Sequence, residues 1–369
     1  MGVKLDTYSV ESPAATEIYI SAAPEMDMPL KEQAQEIFSG IRDLLTSKGA
    51  HILQERVFAA QNVTEELSRI RSGVYGDIDK GVAPSFLVCK EGLSGPLAGV
   101  QVYAVICENE PEPVKIDNVP CGRIVSVPNC RYLTLSGITA LQFDSATQQA
   151  RAMLEKAESA LKQFGGDIHS VPRTWMWLGD ILSWYDDFNR VRNRFFTERG
   201  TLGEGSVRSM PASTGIGLGP ADGGKCSMDL TAVLEPQNSI QYLQAAGKQQ
   251  CAFDYGSAFS RASRAVTPAG ETVFVSGTAS IDLSGATTNI DDPEGQIRET
   301  IRNVRAVLKD MKTTDEDVAQ VMAYCKTTEV ERIFNSIKDD LAWPWITMIC
   351  DVCRPDLLFE IEATAIPRS

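Results

Sequence analysis

Two glutamates stand close together in the apolar last segment of the chain, which reads FEIEA from 359 to 363. Side chains alternate along a strand, so Glu360 and Glu362 are expected to project from one face, about 7 Å apart. A carboxyl that is desolvated and lies near a second carboxylate has a raised pKa and can keep a proton at neutral pH. The pair therefore predicts a general acid in a cleft, although two glutamates that merely solvate a strand edge would give the same pattern.

Composition excludes several kinds of partner. The net charge of −14 argues against nucleic acid, because phosphate binding needs a basic face and the chain has no Lys/Arg block. No apolar run reaches the roughly 18 residues that a membrane helix needs, so we expect no membrane partner. The first residues, MGVKLDTYSVESP, lack the apolar core of a secretion signal. Together with nine cysteines, an odd number, this favours reduced thiols and a cytoplasmic location.

An internal repeat supplies the elements that would position the two carboxyls. Three times, an apolar strand is followed by a helical pattern that opens at a glutamine, at Gln33, Gln149 and Gln296. Each copy continues with a strand, a second helix and a closing hairpin. The sequence therefore predicts three modules with the order β-β-α-β-α-β-β, each a mixed sheet with two helices on one face.

Polar stretches around ENEPEPV and AAGKQQ separate the copies, and we place the modules at 1–112, 113–245 and 246–369. A sheet that is covered by helices on one face must bury its other face elsewhere, and three such sheets can bury theirs against each other. The predicted fold is α+β, an intramolecular pseudo-trimer with three clefts between modules. We expect the chain to be a monomer of this kind or a weak homo-oligomer.

This arrangement resembles the Rid superfamily, the reactive intermediate (enamine/imine) deaminases, which are usually homotrimers with ligand clefts between subunits. That resemblance rests on the SG strands at 136–137 and 276–277, the three helix-opening glutamines and the terminal EIEA. A narrower resemblance is to the chorismatases, single-chain relatives that act on chorismate. It rests on RTW at 173–175, FNxxR at 188–192, PASTGIG at 211–217, FSRA at 259–262, SGTASI at 276–281 and CRPDLLFE at 353–360.

The resemblance to the deaminases implies an arginine at the start of the closing hairpin and an acid in the last strand. Aligned hairpins place Phe86, Ser213 and Ile346 at the arginine position, and Gln101, Asp229 and Glu360 at the acid position. None of the first three can grip a carboxylate with two parallel hydrogen bonds. This departure counts against ordinary imine deamination and predicts one specialised cleft beside two silent ones.

The resemblance to the chorismatases implies that Glu360 protonates the methylene carbon of an enolpyruvyl ether. The resulting oxocarbenium ion is either captured by water, which releases pyruvate, or the ring loses pyruvate internally and becomes aromatic. Cys353, seven residues before the acid, resembles a cysteine of the chorismatases that form 3-hydroxybenzoate. No cofactor is implied. The alternatives are a Rid-type deaminase and a non-catalytic protein that binds a small metabolite.

A substrate with two carboxylates needs local cations in a protein of this charge, and the planar fork of arginine suits a carboxylate. Arg192 and Arg261 are the preferred candidates, followed by Arg173, whereas Arg354 could simply brace a hairpin. Arg190 and Arg194 are expected to face solvent. The remaining predicted substrate contacts are Tyr255, Gly277, Ser280, Cys353 and Glu362.

The sequence predicts no metal site. Cys350 and Cys353 form a CxxC, but neither a second such pair nor a histidine pair accompanies it. Residues three apart on a strand also face opposite sides, so the two thiols are not expected to act together.

Overall fold

The computed structural model describes residues 2–25, 28–202, 209–247 and 249–368. Within these residues the chain forms three six-stranded sheets and six α-helices. The sheets follow one another along the sequence, and each carries two helices, so we refer to the first, middle and third modules. The predicted borders after residues 112 and 245 stay predictions.

The first module contains a sheet of order β1-β2-β5-β3-β4-β11, in which the last strand, β11, comes from the middle module. Its strands are β1 Val3–Glu11, β2 Thr16–Pro24, β3 His51–Ala59, β4 Ser85–Val88, β5 Leu97–Ile106 and β11 Gly219–Pro220. Its helices are α1 Leu30–Lys48 and α2 Thr64–Tyr75. Helix α1 buries Ile37, Phe38 and Ile41 because helical residues three or four apart share one face.

The middle module contains a sheet of order β10-β9-β12-β8-β7-β6. Its strands are β6 Glu112–Ile116, β7 Val119–Val127, β8 Cys130–Ile138, β9 Arg173–Leu178, β10 Ala212–Ile216 and β12 Cys226–Glu235. Its helices are α3 Ala146–Gln163 and α4 Tyr185–Glu198. All six residues of β9 are buried, since one face packs on the helices and the other on neighbouring modules.

The third module contains a sheet of order β13-β14-β15-β18-β16-β17. Its strands are β13 Gln241–Leu243, β14 Ala262–Thr267, β15 Gly270–Ala279, β16 Val318–Cys325, β17 Trp345–Ile349 and β18 Phe359–Ala365. Its helices are α5 Pro293–Asp310 and α6 Thr328–Asn335. Helix α5 begins with Pro293 at its first position and is capped by the Asp292 carboxylate, which accepts from the backbone N–H of Gly295.

The sheet faces that the helices leave open are buried against each other. One apolar cluster joins side chains of all three modules, among them Phe58, Trp177 and Ile346. A second cluster does the same and includes Tyr103 and Phe274. The predicted α+β fold and pseudo-trimer are thereby confirmed. No helix among the described residues is long and apolar enough to cross a membrane.

Candidate functional site

A cavity of about 50 Å³ lies between the middle and third modules, and Glu360 forms part of its wall. The structure brings most of the predicted site residues to this place. The lining residues with a polar or charged side chain are Tyr185, Arg192 and Ser213 from the middle module, and Tyr255, Ser257, Arg261, Cys353, Arg354 and Glu360 from the third.

Glu360 lies in the central strand β18, opposite Tyr324 of β16 and Ala279 of β15. Its side chain is buried, and among the described residues no donor bonds to its carboxyl. Burial raises the pKa of Glu360 to about 8; the charge of Glu362 also raises it, whereas Arg173, Arg261 and Arg354 lower it. The carboxyl can therefore hold a proton at neutral pH, which is what a general acid requires.

Gly277 permits this close packing. The pairing of β15 with β18 shifts register between Val275 and Thr278, so Gly277 lies in an irregular part of the strand. A Cβ on Gly277 would overlap with Oε1 of Glu360 and would lie 3.2 Å from Cγ2 of Thr214. The backbone N–H of Gly277 donates to Oγ1 of Thr214 at 3.0 Å. Only glycine leaves room for the Glu360 carboxyl against this wall.

Arg192 reaches the cavity from the buried face of α4. Its side chain is 1% exposed, and one of its Nη atoms donates to Oδ1 of Asn189 at 2.6 Å. Its Nε is buried without a hydrogen-bond partner among the described residues. A buried guanidinium with an open donor is costly to maintain unless a ligand completes it.

Among the described residues, Arg261 and Arg354 donate hydrogen bonds to uncharged oxygens only. Arg261 donates to the carbonyl of Gln250 at 2.9 and 3.0 Å and to the Tyr255 hydroxyl at 2.5 Å. Arg354 donates to the carbonyl of Gly285. Within the described part of the chain, neither of them nor Arg192 forms an ion pair with a carboxylate. The cavity thus gathers three cations that form no ion pair with the described residues, in a chain of net charge −14.

Arg173 and Glu362 lie outside the cavity lining, contrary to the prediction that they bind substrate directly. The two oxygens of Glu362 accept from an Nη of Arg173 at 2.8 Å and from Nε1 of Trp175 at 2.6 Å. Arg173 also donates to Oγ1 of Thr214 at 2.7 Å. Both charged groups are therefore engaged by the protein behind the wall that carries Gly277.

Ser280 is also absent from the cavity lining. Gly277, Ala279 and Ile281 face the cavity, and alternation of side chains directs Ser280 to the other side. Its hydroxyl lies 2.8 Å from Oγ1 of Thr288 and joins the loop that follows β15. The Ser280 side chain therefore points away from this cavity, and a contact between Ser280 and substrate stays a prediction.

Tyr185 is a cavity residue that the sequence analysis missed. It precedes Phe188 and Arg192 by three and seven positions, so the three share one face of α4. That helical spacing was the signal available in the sequence. Burial raises the pKa of Tyr185, so its hydroxyl is neutral at physiological pH.

Cys353 lines the cavity, as predicted for a substrate contact. Burial raises the pKa of its thiol to about 12, with the charge of Glu360 as the next cause. The thiol is therefore protonated at neutral pH and can donate a hydrogen bond, but it is not a thiolate nucleophile.

Asp229, which the aligned hairpins matched with Glu360, has different surroundings. Strand pairing matches Asp229 with Glu362 instead, because each acid lies at a register shift opposite a Ser-Gly pair, at 136–137 and 276–277. Asp229 accepts from Nε of Arg56 at 2.7 Å, from the Ser85 hydroxyl at 2.6 Å and from the Gly137 N–H at 2.8 Å. The Arg56 guanidinium stacks on Trp175 at 3.8 Å and also donates to Gln101, the matching residue of the first module. Protein groups thus bind the side chains at both of these positions, and the expectation that two clefts are inactive stays a prediction.

Part of the third module matches a known protein family. Residues 256–367 match the family model described as endoribonuclease L-PSP. No curated protein matches the sequence. Among solved structures, a chorismatase has 17% sequence identity and a TM-score of 0.61, and the match covers 98% of this chain and 100% of that one.

Shorter structures match single modules. A YjgF family member from Neisseria meningitidis has 18% identity and a TM-score of 0.28, covering 35% of this chain and 96% of that one. A Rid family protein of unknown function from Yersinia pestis has 19% identity and a TM-score of 0.30, covering 34% of this chain and 98% of that one.

The family match is confined to the third module, and the likeness that spans the whole chain is one of fold. The chain is similar in overall fold to chorismatase, as the resemblance drawn from the sequence motifs predicts.

Proposed function

We propose that this protein is a chorismatase-like enzyme that cleaves the enolpyruvyl ether of chorismate, or of a similar enolpyruvyl carboxylate, with Glu360 as the general acid. One observation carries the proposal. A single cavity combines a carboxyl whose pKa is raised to about 8 with three arginines that form no ion pair among the described residues, the buried Arg192 and Arg261 and the half-buried Arg354. A ligand with two carboxylates and a protonatable carbon complements both features.

Substrate binding would use the arginines. The planar guanidinium fork binds a carboxylate with two parallel hydrogen bonds, and Arg192, Arg261 and Arg354 supply enough donors for two such groups. Carboxylates that replace the neutral partners of Arg261 and Arg354 would release Tyr255 and the turn at Gly285. This release would also widen the cavity, which at about 50 Å³ is far below the roughly 300 Å³ or more of small-molecule sites.

The reaction begins with proton transfer. The neutral Glu360 carboxyl donates its proton to the methylene carbon of the enolpyruvyl group, and an oxocarbenium ion forms as Glu360 becomes a carboxylate. The nearby arginine charges stabilise that carboxylate, and its own negative charge stabilises the cation. Water capture at the cationic carbon, or internal elimination from the ring, then releases pyruvate.

Cys353 bears on the choice between these outcomes. By its resemblance to the cysteine of the chorismatases that form 3-hydroxybenzoate, its presence beside Glu360 favours the aromatising route. Its thiol is neutral and can donate a hydrogen bond to a ring oxygen.

The test is incubation of the purified protein with chorismate, with pyruvate and aromatic products followed by chromatography. We expect pyruvate together with 3-hydroxybenzoate. A dihydrodiol product would contradict the aromatising route but keep the ether cleavage. Binding of chorismate without pyruvate release would contradict the enzyme proposal and favour a metabolite-binding role.

A further inference from the structure

A buried ion pair crosses the interface directly behind Glu360. Arg173 belongs to β9 of the middle module and Glu362 to β18 of the third, and both side chains are at least 95% buried. Trp175 Nε1 donates to the second oxygen of Glu362, so the carboxylate is held at both oxygens. The pair therefore fixes a negative charge two residues from Glu360, on the same face of the strand.

The three interfaces show that this pair is not a general requirement of the fold. The residues that match Arg173 in the other modules are Gln54 and Gln320, identified by their pairing with the last strand. The same pairing matches Glu362 with Asp229 and Gln101, and each of the two acids lies where its strand shifts register opposite a Ser-Gly pair. At the interface between the first and middle modules, Gln54 donates to the carbonyls of Leu135 and Leu230, and Arg56 rather than an arginine at this position pairs with Asp229. The residue two positions before Asp229 is Ser227, so only the third module has a second carboxyl beside the pair.

The pair also touches the wall that faces Glu360. Arg173 donates to Thr214, and Thr214 in turn accepts from the N–H of Gly277, whose Cα lies against the Glu360 carboxyl. A substitution of Arg173 or Glu362 would therefore alter both the charge near Glu360 and the position of Gly277 against its carboxyl.

We infer that Arg173 and Glu362 are positioning residues that determine whether Glu360 carries its proton, and that neither one contacts substrate. The inference rests on the proposed role of Glu360 as an acid. The negative charge of Glu362 raises the pKa of Glu360, and the positive charge of Arg173 lowers it. The two effects of the pair therefore partly cancel. The other charged or titratable groups near Glu360 are Arg192 and Tyr185 from α4, Tyr324 from β16, Tyr255 and Arg261 before β14, and Cys350, Cys353 and Arg354 between β17 and β18. They stay constant in the test below.

The experiment follows the protonated Glu360 carboxyl by infrared spectroscopy during a pH titration of the ligand-free protein. The band is assigned by its loss in Glu360→Gln. Glu362→Gln should lower the apparent pKa of this band by about one unit or more, because a nearby negative charge is lost. Arg173→Gln should raise it, and the double variant should lie between the two single variants.

A role in packing alone would not give shifts of opposite sign. If Glu362→Gln does not fold, the upward shift in Arg173→Gln tests the inference by itself. Shifts below about 0.3 unit in the variants that fold would overturn it. So would a Glu362→Gln enzyme whose KM rises while its pH profile stays unchanged, since that result would make Glu362 a substrate contact.

The titration separates this inference from the proposed function because it needs no substrate. If the wild-type protein does not cleave chorismate but the opposite shifts are found, the proposed function fails and the role of the pair stands. If chorismate is cleaved and the shifts are absent, the reverse holds.

Discussion

Glu360 and Asp229 are buried acids in the last strands of their modules, but the structure surrounds only Asp229 with donors. Three hydrogen bonds reach the Asp229 carboxylate, whereas among the described residues Glu360 receives none and faces a cavity. A buried carboxylate needs partners, and a buried carboxyl without them tends to stay protonated. The contrast explains how the same strand can hold a structural acid in one module and a proton donor in another.

The raised pKa of Glu360 predicts a measurable effect on stability. The native protein retains a proton that the unfolded chain loses near its ordinary pKa of 4.5, so wild-type stability falls as pH rises from there to about 8. Glu360→Gln removes this loss. Its free energy of unfolding, relative to wild type, should increase between about pH 5 and pH 8, by about 1.4 kcal/mol for each unit of the shift. Urea unfolding at both pH values measures it, and a difference that does not change with pH would contradict the assigned protonation.

Arg192 offers a test of carboxylate binding with a matched control on the same helix. Arg192→Gln should raise the KM for chorismate about 10- to 100-fold, because a hydrogen bond from a charged donor contributes about 1.5–3 kcal/mol. Arg190 is 71% exposed and pairs with Asp187, so Arg190→Gln should leave KM unchanged. Steady-state kinetics measures both variants. Equal effects, or none for Arg192, would remove Arg192 from the site.

Strand β15 shows how an element limits what its residues can do. Its irregular pairing places Gly277 against Glu360. Because side chains alternate along the rest of the strand, Ser280 points away from the cavity and contacts Thr288. The sequence indicated small residues here, but a register shift cannot be read from residue types alone. The same limit applies to α4, where the motif at 188–192 identified Arg192 but not Tyr185 one turn earlier.

Gly277→Ala tests the close packing of this strand against the acid. The added methyl group should displace the Glu360 carboxyl, and misplacement of a catalytic group by about 1 Å can cost about 100-fold in rate. We expect kcat to fall about 10- to 100-fold. Gly73→Ala is the control, since a Cβ there, in α2, meets no atom within 4 Å and alanine favours a helix. Wild-type kcat in Gly277→Ala would show that the wall tolerates displacement.

At the scale of the molecule, the internal repeat was enough to predict the α+β pseudo-trimer, because each copy leaves one sheet face to bury. The site needed more than the repeat. Arg173 and Glu362 are 189 residues apart in the chain, and Arg56 and Asp229 are 173 apart. Such pairs depend on which module faces which, and hydrophobic periodicity carries no information about that arrangement. This is why the sequence placed Arg173 and Glu362 among the substrate contacts.

The interface between the first and middle modules should contribute stability without taking part in turnover. Asp229→Asn leaves the buried Arg56 without its carboxylate, and breaking a buried ion pair costs about 3–5 kcal/mol. We expect a marked fall in the urea midpoint with unchanged kcat/KM at temperatures where the variant is folded. Glu198→Gln, at exposed ion pairs with Arg151 and Arg194, is the control and should leave the urea midpoint close to that of wild type. A parallel loss of turnover in folded Asp229→Asn would show that this interface is not silent.

The most direct test of the central claim is turnover of chorismate in deuterium oxide. If Glu360 delivers a solvent-exchanged proton to the methylene carbon, the released pyruvate should carry one deuterium in its methyl group, as seen by mass spectrometry. Folded Glu360→Gln should release pyruvate at least about 100-fold more slowly, in line with the usual contribution of general acid catalysis. Pyruvate released by this variant at the wild-type rate would contradict the account.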